Sequence, residues 1–236
     1  SPMINIVGDH ATYHLKYNAP LTSDLDTLAK SSSDWVGRSK TVEDICDLGN
    51  EAWHIAHKEP GQITTLIVPA DCAWGNFKGK IPSPLKKPVT AKIEDSLVPQ
   101  SIEILKKENS VLFIGGKFLT DECIKLAGNI SSATGCRIVT DTFVSRIRRG
   151  AGLPMVEQVP YFSEMAEEFL KNTSGVIFIG SKPPVSFFAY PNKKSYLLPD
   201  ETKTVNLCSP EQDGLLALQA LSCLLYTSPS PRDPIG

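Results

Sequence analysis

The spacing of short apolar runs narrows the fold of this chain more than any other feature. Ile63–Val68, Ser110–Ile114, Arg137–Thr140 and Gly175–Ile179 are each four to six residues long, and three of them stop at a Pro or a Gly. Such runs are too short for helices. They are also too continuously apolar for strands with one wet face, so they read as strands covered on both faces. Between them the apolar period switches to that of a helix. Ile45, Leu48, Ala52, Ile55 and Ala56 recur at helical spacing behind Glu43 and Asp44, which suit the positive end of a helix. Alternating strands and helices predict an α/β chain with parallel sheets and right-handed crossovers.

Met3–Val7 is a further strand ending at Gly8, and Trp35-Val36 a brief one. A short helix to about Lys30 is expected behind a Thr22 or Ser23 cap. From Gly75 to Thr90 the chain has no period and is rich in Pro and Lys, which marks a linker. The pattern then resumes. Helices are predicted near 97–107, 120–134, 161–171 and 211–224, and a late strand near 204–207. This gives a first domain over 1–75, a linker over 76–95, and a second, Rossmann-like domain over 96–222.

The last residues, 223–236, lack a period and are crowded with Ser and Pro. Their sequence is similar to translated sequencing-adapter read-through, so they are set aside as an artefact or a disordered tail. The chain opens at Ser1 rather than Met and runs directly into a strand, which reads as a cut end.

Composition removes several function classes. With 236 residues and 41% apolar content, a sizeable core is expected. The net charge of −2 and the lack of a basic block argue against nucleic-acid binding. Arg146, Arg148 and Arg149 read as a solvated face. No apolar run is long enough to span a bilayer, so no membrane partner is expected. The six cysteines include no CxxC pair and read as free thiols of a cytoplasmic protein.

The chemistry-bearing candidates are few. His54 and His57 lie three apart on one helix, but no carboxylate is placed to complete a metal site. His10 and His14 follow a strand end, where open α/β sheets put their ligands, and are candidate substrate contacts. Gly115-Gly116 follows one strand, and Gly180-Ser181-Lys182 follows another. Together these turns suggest a nucleotide crevice, with tight structural turns as the equal alternative. There is no Walker loop, no nucleophile elbow, and no nucleophile–base–orienter set.

Ser1-Pro2-Met3-Ile4-Asn5-Ile6-Val7-Gly8, Leu21-Thr22 with Asp24 and Trp35, and Gly61-Gln62-Ile63 through Val68-Pro69-Ala70-Asp71 resemble one known pattern. It is the second half of the pyrimidine-binding domain of thiamine-diphosphate-dependent enzymes of the acetolactate synthase and benzoylformate decarboxylase type. Val111–Gly116 and Val139-Thr140-Asp141-Thr142 are similar to the central domain of the same enzymes. The resemblance covers about residues 1–222. It implies a 2-oxo acid substrate, thiamine diphosphate held through Mg2+, and a homodimeric or homotetrameric parent enzyme.

The activating glutamate and the Gly-Asp-Gly…Asn metal motif of the family belong to other segments. Neither Asp200-Glu201 nor Asp213-Gly214 supplies them, so the chain is expected to be a fragment without activity of its own. Pro20, Leu21 and Thr22 would form part of the thiamine pocket wall, with Leu21 against the cofactor. Acetolactate synthases carry Phe-Gln-Glu there, and the change to Pro-Leu-Thr points to a decarboxylase-like pocket. They also bind FAD through a Gly-x-Arg turn, where this chain has Gly180-Ser181-Lys182. Lysine meets a phosphate only as a point charge, which leaves FAD binding open. The rival reading is a non-catalytic, two-domain nucleotide-binding module.

Overall fold

The computed structural model describes residues 1–189 and 191–227. The chain divides into two compact units, Ser1–Thr90 and Ala91–Gly236.

The first unit is built on three parallel strands, β1 (Met3–Asp9), β2 (Trp35–Arg38) and β3 (Ile63–Pro69), in the order β1-β3-β2. Helix α1 (Leu25–Lys30) precedes β2, and α2 (Ile45–Ala56) connects β2 to β3. The cap of α1 is Asp24, one residue beyond the expected Thr22 or Ser23. Its carboxylate accepts from the Thr27 N–H at 3.1 Å and from the Thr27 hydroxyl at 2.6 Å, satisfying one of the orphan donors of the first turn. β3 takes the central place because it is the most apolar of the three strands. Its two threonines, Thr64 and Thr65, are buried and find partners. The Thr64 hydroxyl donates to the carbonyls of Met3 and Ala52, both at 3.3 Å. Thr65 Oγ1 accepts from Asn5 Nδ2 at 3.2 Å and pairs with Ser33 Oγ at 2.7 Å. Ala52 and Ala56, fully buried, bring α2 close to the sheet.

A short helix, α3 (Ala70–Trp74), follows β3 directly. The stretch from 75 to 90 has no regular structure and falls within the first unit. It is tied to α2, where Asn50 Nδ2 donates to the Ser83 carbonyl at 2.9 Å and His54 Nδ1 meets the Lys86 carbonyl at 3.0 Å.

The second unit holds a five-stranded parallel sheet in the order β6-β5-β4-β7-β8. The strands are β4 (Ser110–Ile114), β5 (Arg137–Thr140), β6 (Glu157–Gln158), β7 (Gly175–Ile179) and β8 (Lys203–Cys208). Helices α4 (Leu97–Leu105), α5 (Asp121–Thr134), α6 (Ser163–Leu170) and α7 (Gly214–Thr227) cover it. The central strands β4 and β7 are buried along their whole length. Side chains alternate between faces, so each strand serves two cores. Leu112, Ile114, Ile177 and Ile179 pack with residues of α4, α5 and α7. Val111, Phe113, Val176 and Phe178 pack with α6, Leu197 and Leu198.

Helix α5 shows why its boundaries are readable in the sequence. Thr120 Oγ1 accepts from the Cys123 N–H at 3.3 Å, and Gly135 ends the helix at φ +80°, a conformation open to glycine. Helix α7 runs to Thr227, so it takes in residues 223–227 of the stretch set aside as a tail. Residues 228–236 of that stretch lie outside the described residues. No helix among the described residues is long and apolar enough to cross a membrane.

Candidate functional site

In the first unit, the carboxyl ends of β1 and β3 open into a cleft of about 710 Å3. Gly8, His10, Tyr13, His14, Leu21 and Trp74 are among its walls. The loop after β1 is fixed at both ends. Thr12 donates to Asp71 through its N–H (2.9 Å, to Oδ1) and its hydroxyl (2.5 Å, to Oδ2), fastening the loop to the start of α3. The hydroxyl bond, then the amide bond, hold the Asp71 carboxyl below its ordinary pKa.

His10 carries the next link. Its N–H donates to Asp9 Oδ1 at 2.7 Å, and its Nε2 lies 3.1 Å from the Pro20 carbonyl. A carbonyl only accepts, so this contact requires the proton on Nε2. The His10 ring lies 5.6 Å from His14, which lies 5.7 Å from Tyr17. Beneath them, Asp9 is bonded to the Arg38 guanidinium, which also reaches Asp26 in α1, with Nη2 to Oδ2 at 2.6 Å.

Pro20 thus acts through its backbone. Leu21 follows it at φ +70° with its side chain 95% exposed. A leucine in the left-handed region is strained, and here the strain keeps an apolar side chain in solvent at the cleft wall. The Thr22 hydroxyl is buried and has no hydrogen-bond partner. A strained, exposed leucine at the cleft wall fits an organic ring system bound alongside, whereas Pro20 and Thr22 are not among the residues that line the cleft. The described residues offer nothing comparable for a metal, since no three His, Cys, Asp or Glu side chains converge. The helical pair His54 and His57 does not converge on a metal either. Each turns Nδ1 to a carbonyl, that of Lys86 and, at 2.8 Å, that of Trp53.

In the second unit, the two glycine turns do lie at neighbouring strand ends, after β4 and β7. The residues expected around them separate, however. Lys182 lines a cavity of about 320 Å3 with Asp141, Phe143, Tyr161 and Phe187. Gly116 lines another of about 370 Å3, with Lys117, Thr120, Arg146 and Arg148. Between the turns, Ser181 Oγ donates to Asp141 Oδ2 at 2.7 Å. Burial raises the Asp141 pKa, and the Ser181 bond offsets only part of that.

Sequence reasoning missed Tyr13 and Trp74, and gave Asp141 no role in the site although it named Ser181 in the crevice turn. Asp141 was findable, since it directly follows a strand. Tyr13 and Trp74 reach the cleft only through the parallel pairing of β1 with β3.

These parallel sheets match the domain folds of solved thiamine-diphosphate-dependent enzymes. One from Mycobacterium smegmatis, provisionally assigned as a thiamin diphosphate-dependent enzyme, matches all of this chain and 48% of its own, with TM-score 0.78 and 16% identity. The 4-hydroxybenzoylformate decarboxylase of Rhodococcus jostii matches all of this chain and 47% of its own, with TM-score 0.74 and 19% identity. Benzoylformate decarboxylase of Polynucleobacter necessarius matches 95% and 44%, with TM-score 0.73 and 16% identity. No family model matches the chain.

In sequence, the chain is 36% identical over 219 residues to IlvX of Mycobacterium tuberculosis, a protein provisionally named as an acetolactate synthase large subunit. The match takes in 92% of this chain and 42% of that protein. In sequence over these 219 residues, and in fold, the chain is similar to thiamine-diphosphate-dependent enzymes related to the acetolactate synthase large subunit. It spans about half the length of the relatives it matches.

Proposed function

We propose that this chain is part of a cytoplasmic thiamine-diphosphate-dependent decarboxylase or carboligase of 2-oxo acids, and that its first unit forms one wall of the cofactor pocket. The observation that carries this reading is Leu21 in the Pro20–Thr22 loop, strained and exposed at the wall of the cleft. When bound, thiamine diphosphate supplies a nucleophilic carbon and an electron sink. The work of this chain is positioning. His10 holds the Pro20 carbonyl, the left-handed turn holds Leu21 outward, and the Leu21 side chain keeps water from one side of the ring.

His14 stands at the cleft wall, 5.6 Å from the His10 ring. In this reading it faces the 2-oxo acid. Mg2+ and the activating carboxylate are supplied by other segments of a longer protein that assembles as a homodimer or homotetramer. The chain alone therefore turns over no substrate.

The test compares two proteins. One is this chain; the other is the chain with the coding sequence that flanks it in its source DNA. CO2 release from pyruvate and benzoylformate is followed with thiamine diphosphate and Mg2+ present. The expected result is release by the longer protein only, falling at least tenfold in Leu21→Ala. Turnover by this chain alone would overturn the division of labour, and an inactive longer protein would overturn the enzyme reading.

A further inference from the structure

The resemblance to acetolactate synthases leaves a flavin open in the central unit, where its diphosphate would lie against the glycine turns that end β4 and β7. The leading amide of each turn is already bonded within the protein. The Gly115 N–H donates to the Ile179 carbonyl at 3.0 Å, and the Gly180 N–H to the Cys208 carbonyl at 2.8 Å. Neither amide is left for a phosphate oxygen, although such amides are what a diphosphate site uses.

The glycines have an internal reason to be glycine. A methyl group on Gly115 would come within 2.6 Å of Asp141 Oδ2 and 2.8 Å of Ser181 Cβ. One on Gly180, which sits at φ +67°, would fall 2.2 Å from the Phe118 ring, and one on Gly214 2.6 Å from the same ring. Phe118 is buried against Gly180 and Gly214. The space above the backbone is therefore filled by Phe118 on one side and by the hydrogen-bonded Asp141 and Ser181 on the other.

The position of Asp141 points the same way. A doubly wound sheet that binds a dinucleotide keeps the approach to its glycine turn free for the diphosphate and uses an acid at the next strand end on the ribose. Here the acid at that strand end, Asp141, lies over the glycine itself and is bonded to Ser181. A carboxylate at that point repels a diphosphate. Lys182 lines the same cavity as Asp141, and of the cations beside Gly116, Arg148 is already paired with Asp121.

We infer that the strand-end crevice of the second unit is filled by Phe118 and the Asp141–Ser181 pair, and that the unit binds no flavin or other dinucleotide there. The inference is independent of which 2-oxo acid the parent enzyme takes.

Two measurements test it on the full chain. FAD and ADP are titrated to millimolar concentration, followed by flavin fluorescence and by melting temperature. No saturable binding and no rise in melting temperature are expected. Saturable one-to-one binding of either would overturn the inference.

The second measurement is the stability of the ligand-free chain. Gly115→Ala is expected to lower the melting temperature, and to cost less when combined with Asp141→Ala and Ser181→Gly than the separate effects predict. A Gly115→Ala chain as stable as the original would mean that the glycine keeps space for a ligand, and would also overturn it. If the variants do not fold, the titration of the unaltered chain decides alone.

Discussion

Arg38, at the end of β2, donates to Asp9, at the end of β1, and so bridges two strands that are not neighbours. β3 lies between them. The pair sets the level of the strand ends that carry the candidate cofactor cleft, and Asp26 in α1 shares the same guanidinium. The Asp9 side chain is only 5% exposed, whereas that of Arg38 is 24% exposed. Removing the arginine strands a buried carboxylate, which costs more than the pair itself contributes. Arg38→Met is expected to destabilise the first unit by about 3 kcal/mol, measured by urea denaturation. Asp26→Asn, which keeps the Asp9 pair, should cost under ~1 kcal/mol, the range of exposed pairs.

Leu21 separates stability from function. Its left-handed backbone costs roughly 1–3 kcal/mol, part of which glycine recovers before its own chain entropy offsets the gain. Leu21→Gly should therefore stabilise the isolated chain by about 1 kcal/mol. In the longer protein it should weaken thiamine diphosphate binding. Thermal melts of the chain and cofactor titration of the longer protein check the two halves separately. A destabilised Leu21→Gly chain would mean that the loop is not strained.

Asp141 predicts a pH dependence with a definite sign. Burial raises its pKa in the folded chain above the ordinary carboxylate value. Between those two values the folded state binds more protons than the unfolded state, so stability falls as pH rises across the window. The favourable contribution is complete below the ordinary value and lost above the raised one. Asp141→Asn keeps an acceptor for Ser181 and has nothing to titrate. Its melting temperature should gain on that of the original chain from acid towards neutral pH, and a pH-independent difference would contradict this.

β1 predicts behaviour in solution. Among the described residues it pairs with β3 alone, and Ile6 on it is 74% exposed, with Met3 and Ile4 also outward. An unpaired, apolar edge strand is a template for self-association. The isolated chain is expected to sediment as a concentration-dependent mixture rather than a single monomer. Ile6→Lys should shift it towards monomer and leave the melting temperature nearly unchanged, because Ile6 has little packing to lose.

The alternation of apolar strands and amphipathic helices was legible in the chain because it is local. β4, β5 and β7 begin and end where their apolar runs do, and α5 begins at its Thr cap and stops at its Gly. Strands buried on both faces could only form parallel sheets. The absence of regular structure over 75–90 was legible from proline and lysine, which deny a stretch both period and core. What local pattern could not supply was the meeting of residues distant in the chain. Thr12 with Asp71, His10 with Pro20, and Arg38 with Asp9 depend on strand order and register, which a run of residues does not encode by itself. The same holds for the glycine turns. From sequence, Gly115 and Gly180 could serve either a ligand or the protein. Only packing placed Phe118, Asp141 and Ser181 over them, because close contact between side chains is settled by the whole core and not by spacing along the chain.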